Sequence, residues 1–146
     1  MNMHRNSFAL FVALAASVTG LPNAGAAGGF VIVVNAANPL SSLSRSDVKG
    51  ALTGRTKQWA SGAVVQLGII PADVAETQYL AGLVDLTPRE LLAHIQEQIF
   101  KGELRRPVTL HSSAECVAFA RSSPGAICAA SDSVPLTPEV RAVVVH

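Results

Sequence analysis

Short unbroken apolar runs alternate along this chain with segments whose apolar residues recur every three or four positions. The run at residues 30–34 (FVIVV) is rich in β-branched residues, which predicts a strand covered on both faces. Asn35, Asn38 and Pro39 stop it. Further strands are expected at 64–70 (VVQLGII, closed by Pro71), at 126–130 and over the terminal VRAVVVH, with a short extended piece in PVTLHSS.

Between these runs the period changes. Ser44 with Asp47 three positions on is a near relative of the capping box and predicts a helix over 47–53 that ends at Gly54. Residues 72–83 follow a helical spacing through Val74, Tyr79 and Leu83. Thr87-Pro88 opens a further helix with Leu91, Leu92, Ile95 and Ile99 as its buried stripe and Gly102 at its end. A serine cap precedes a helix over 114–121, and Pro124-Gly125 turns the chain into the next strand. Residues 57–63 read as a turn and 131–138 as a loop. Strand and helix in alternation give an α/β fold: a single compact domain with a mixed, mainly parallel sheet flanked by helices.

The first residues stand outside that pattern. Arg5 precedes an uncharged apolar run at 8–18, and Ala24-Gly25-Ala26 places small residues where a signal peptidase reads them. Residues 1–26 are expected to be a signal peptide and 27–146 the domain, in the periplasm or secreted. The run is short for a bilayer span, so no stable membrane insertion is expected after cleavage; the alternative is a retained N-terminal anchor. Without Arg5, Lys+Arg falls from 11 to 10 and equals Asp+Glu at 10. A neutral chain gives no electrostatic reason to expect nucleic acid.

Two cysteines, Cys116 and Cys128, are an even number in an oxidising compartment, which favours a disulfide. A helix that turns back into a strand runs antiparallel to it, which brings the two into one layer. The alternative is a pair of reduced cysteines packed as small apolar residues. Neither cysteine has ligand spacing with a histidine, and Glu90, His94 and Glu97 on one helical face read as a solvated surface, so no metal is assigned. His111, Ser112, Ser113 and Cys116 are close in sequence, but no nucleophile elbow, metalloprotease signature or phosphate loop accompanies them; no catalysis and no cofactor are expected.

The stretch NPLSSLSRSDVKGALTGRTKQW holds the candidate site. Asn38, Ser41, Ser42 and Ser44 at a helix entrance would give neutral donors beside free N–H groups, a setting that suits an oxyanion. The alternative is ordinary capping and turn chemistry. Arg55, Lys57 and Trp59 either offset the helix dipole and anchor the turn or form a surface that docks a partner.

The segment LSSLSRSDVKGALTGRTKQWASG resembles the Leu-Ser-x-x-x-Leu-x-x-Ile-Phe-x-Gly-Lys-x-x-x-Trp-x-x-Gly stretch of phosphate ABC-transporter substrate-binding proteins. The matching positions are Leu43, Ser44, Val48, Leu52, Gly54, Lys57 or Arg55, Trp59 and Gly62. Pro124, Gly125, Ala126 and Ile127 match a later Pro-Gly-Ala-Ile segment. The resemblance implies one lobe of a type II periplasmic binding protein. It implies an exported solute-binding-like protein for a small oxyanion such as phosphate or a related ligand. The other reading it leaves is a ligand-free accessory domain that meets a cell-envelope or transporter protein. The family holds its anion on an Arg-x-x-x-Ser-Gly-Thr segment after the second strand. Here that region reads IIPADVAETQYL, with Asp73 and Glu76 and neither the arginine nor the Ser-Gly-Thr.

Overall fold

Strand β1, Phe30–Asn35, is uncharged along its length and sits in the middle of a six-stranded sheet. The computed structural model describes residues 29–71 and 74–146, so the expected signal at 1–26 lies outside the described residues. After β1 the elements run β2 (Ser42–Leu43), α1 (Arg45–Thr53), β3 (Gln66–Ile69), α2 (Ala75–Leu83), α3 (Pro88–Phe100), β4 (Val108–Thr109), α4 (Ser113–Ser122), β5 (Ala126–Ser131) and β6 (Val140–Val145).

The sheet order is β2-β6-β1-β5-β3-β4. The ladders β2·β6, β3·β5 and β3·β4 are parallel, as helical crossovers require. The two ladders through β1 are antiparallel and longer, with Val33 opposite Cys128 on one side and Ala142 on the other. The sheet is therefore mixed, and β1 alone runs against the other five strands.

Side chains of β1 alternate between two cores. Ile32 and Val34 pack in one with Leu52 of α1, Leu80 of α2 and Leu91 and Ile95 of α3. Val33 packs in the other with Cys116, Val117, Phe119 and Ala120 of α4. That arrangement explains the unbroken apolar run: both faces of the strand are covered. Of the expected α3 stripe, Leu91 and Ile95 are buried and Leu92 and Ile99 are half-buried.

Local signals set the helix ends. Ser44 Oγ accepts from Asp47 N at 3.0 Å and Asp47 returns the bond to Ser44 N at 2.9 Å, a complete capping box. Thr87 and Glu90 repeat it at α3, with Pro88 in the first turn. Gly54 closes α1 in the left-handed conformation at φ 77°. Its missing side chain also admits the neighbouring loop, because a Cβ there would stand 2.1 Å from the carbonyl oxygen of Glu103. Cys116 and Cys128 form a disulfide with Cα atoms 5.9 Å apart, tying α4 to β5.

Candidate functional site

Five strands point the same way, so their carboxyl ends gather at one end of the sheet. There β2, β3 and β4 lead into α1, α2 and α4. Such an end is where open α/β sheets take ligands. A chain of polar contacts joins three elements at this end. Ser113 Oγ at the start of α4 donates to Glu76 Oε1 of α2 at 2.8 Å, and Ser131 N at the end of β5 donates to Ser113 Oγ at 2.8 Å. Ser131 and Ser133 place their hydroxyls 2.8 Å apart.

The electrostatics of this end are specific. Asp47, Glu76 and Glu115 lie in the first turns of α1, α2 and α4 and offset the positive end of each helix dipole. The backbone N–H of Ser44, followed by its hydroxyl, holds the Asp47 carboxyl below its ordinary value. The His111 backbone N–H, at 2.6 Å, and then its ring do the same to Glu115.

The expected oxyanion residues do not share one pocket. Asn38 follows β1, and its N–H donates to Asn35 O beside the first residue of β6. Ser42 pairs with Val144 near the far end of β6. The loop between them therefore runs along most of the β6 edge, roughly 13 Å at about 3.3 Å per residue. Ser41 and Ser42 are exposed, and Ser44 Oγ is engaged by the cap. Asn38 is buried, with only 1 % of its surface exposed, and neither side-chain Oδ1 nor Nδ2 has a partner among the described residues.

Arg55, Lys57 and Trp59 also part company. Arg55 Nη2 reaches back along α1 to Ser46 O at 3.2 Å, not to the last carbonyls of the helix. Lys57 Nζ donates to Glu103 O at 2.9 Å. Trp59 is buried, and its Nε1 donates to Gly125 O at 3.0 Å. Burial removes Trp59 from the expected docking surface and makes it the anchor of the 57–63 turn.

Among the described residues, the side chains of the 111–116 cluster are engaged in capping, pairing and the disulfide. His111 Nδ1 is 3.0 Å from Glu115 Oε2, Ser112 caps α4 and Cys116 is in the disulfide. Glu97 bonds Lys101 at 2.9 Å and Glu90 serves the α3 cap. His94 borders a cavity of about 180 Å³ with Lys49 and Leu86, where its Nε2 is buried and has no partner among the described residues. Among the described residues no group of three or more metal-ligating side chains converges, and no helix is long and apolar enough to cross a membrane.

Sequence reasoning missed a concavity at the opposite, amino end of β3, β4 and β5. It encloses about 620 Å³ between the loops 54–58, 64–65 and 102–105. The glycines at 54 and 102, both with positive φ, were its only local hint.

No family model and no curated protein matches this sequence. Among solved structures the chain is similar to the crystal structure of an ABC-type phosphate transport receptor from Vibrio cholerae, with a TM-score of 0.60 at 18 % identity. The alignment covers 81 % of this chain and 47 % of the receptor, so the chain spans less than half the receptor's length. The likeness establishes the fold: an α/β domain of periplasmic-binding-protein type, with a mixed six-stranded sheet.

Proposed function

We propose that the chain is an exported, non-catalytic solute-binding-like domain for a small oxyanion such as phosphate. The observation that carries this reading is the gathering of the α2 and α4 N-termini with the hydroxyls of Ser113 and Ser131, in a fold similar to that of a phosphate receptor. Helix N–H groups and neutral hydroxyls are suitable donors to an oxyanion. The carboxylates in the same first turns oppose a negative ligand, so binding is weak, near-millimolar, on the order of 4 kcal/mol. The test is calorimetric titration of the protein recovered from the exporting host with phosphate and sulfate. Mass spectrometry of that material is expected to place its first residue near Ala27. Glu76→Gln is expected to raise phosphate affinity and Ser113→Ala to lower it. Binding indifferent to both substitutions would remove the anion from this end.

A second reading is favoured by a specific observation: an acidic residue stands in the first turn of each of the four helices among the described residues. On that reading the domain has no anion ligand and serves as an accessory partner of a cell-envelope protein. Absence of heat with both anions selects it.

A further inference from the structure

The concavity at the amino end of the sheet is built rather than incidental. Two loops meet where Gly54 passes the Glu103 carbonyl too closely for any Cβ. Lys57 Nζ then bonds that same carbonyl at 2.9 Å and stands 3.5 Å from the Glu103 carboxylate. The third wall is fixed by Val65 N donating to Lys57 O at 3.0 Å and by Gln66 N donating to Gly125 O at 2.9 Å. These ties fix the three walls relative to one another.

The lining combines apolar and charged side chains. Val64, Val65 and Leu104 supply apolar wall, and Val64 remains 43 % exposed. Lys57 and Arg105 supply cations and Gln58 an amide. Glu103 is the single acid in the lining and is engaged by Lys57. Arg105 takes part in no ion pair among the described residues. A volume of about 620 Å³ falls within the range of small-molecule sites, roughly 300–1,000 Å³.

We infer that this groove binds a small amphipathic anion: an apolar body against Val64, Val65 and Leu104, with a carboxylate on Arg105. The charge balance of the lining selects an anion over a cation, and the valine and leucine surface selects a molecule with a hydrocarbon body over a bare oxyanion. This site is separate from the oxyanion reading, because it lies at the other end of the sheet.

Trp59, the chain's single tryptophan, reports on it. Its turn is closed by Trp59 N donating to Ala63 O, and the residues on both sides, Gln58 and Val64, line the groove. The experiment is titration of the folded protein with sodium decanoate, followed by Trp59 emission and by amide NMR shifts. Saturable change is expected, with half-saturation near about 0.1 mM, the order set by a ligand of about a dozen non-hydrogen atoms. The shifted amides are expected in residues 54–58, 64–65 and 102–105. Arg105→Gln, at an exposed position, is expected to raise the half-saturation point about tenfold through loss of a charge-assisted contact. Decylamine and inorganic phosphate are expected to leave these amides unmoved. No saturable change with decanoate overturns the inference, as does decylamine binding equally well or shifts that cluster elsewhere. An acidic apolar peptide that shifts these amides where decanoate does not overturns it in favour of a protein partner. Phosphate shifts at Ser113 and Ser131 report on the other reading alone.

Discussion

At the carboxyl end of the sheet, side chains bond side chains: Glu76 to Ser113, Ser131 to Ser133 and His111 to Glu115. At the amino end backbone also packs directly against backbone, beside the bonds that the Lys57 and Trp59 side chains make to the Glu103 and Gly125 carbonyls. Gly54 abuts the Glu103 carbonyl, and Gly125 passes so near Val64 that a Cβ would sit 1.7 Å from its oxygen. Side-chain joints can be exchanged for water one bond at a time, each at the modest net worth of a hydrogen bond. Close backbone contacts admit no such exchange, since an added carbon must displace a strand or a loop. One end is thus a set of separable polar contacts, and the other is a rigid frame around an apolar space.

Gly125→Ala breaks the amino end most severely. It forces the lead into β3 away from the lead into β5 and pulls at the carbonyl that Trp59 Nε1 holds. A loss of about 3 kcal/mol or more is expected, above ordinary overpacking. Denaturant unfolding measures it, and red-shifted Trp59 emission would place the damage at this end. A stability within about 0.5 kcal/mol of the parent would show that the frame yields easily and that the contrast between the ends is false.

Replacing both Cys116 and Cys128 with alanine tests the joint between α4 and β5. The bridge spans a sequence separation of 12, so its loss is expected to cost about 2–3 kcal/mol on the chain-entropy account. Reduction of the parent protein should reproduce most of the same fall in unfolding midpoint. Equal stability with and without reductant would leave packing, not the covalent link, as the tie.

Ser44→Ala probes the carboxyl end and is the mildest, at about 1 kcal/mol for a lost cap. It also carries a pH signature. Asp47 has its folded-state pKa lowered by Ser44, so its stabilisation is present above the ordinary carboxylate value of about 3.9 and disappears as pH falls through the lower folded value. The variant keeps the backbone N–H at position 44, the larger cause, so the gap between parent and variant melting temperatures is expected to narrow without closing as the pH drops from about 5 towards 2. A constant gap across that range would detach the cap from Asp47.

The features legible in the sequence were those whose cause is local. The box of Ser44 and Asp47, the Thr87-Pro88 entrance, the Gly54 stop and the doubly covered run in β1 each follow from neighbouring residues. Strand β2 was invisible because its two residues are held by Val144 and Val145, about a hundred positions away. The same distance misled the grouping of Asn38 with Ser44, since adjacency in sequence became separation along the edge of β6. The groove was hidden for the same reason: its walls come from three loops, assembled by contacts between distant residues such as Gly54 with Glu103 and Lys57 with Glu103.

The place of β1 has a consequence for the order of assembly. This first strand of the fold lies between β5 and β6, the last two, so its pairings join Val33 to Cys128 and to Ala142. Contacts of such separation close late, after the entropy of a long loop has been overcome. A chain still emerging from the ribosome can form α1 or α3 but cannot complete either core until the last residues of β6 are free. Folding is therefore gated by the arrival of β6, and a chain cut before that strand is left with an open apolar edge at its centre, poised to pair with another copy.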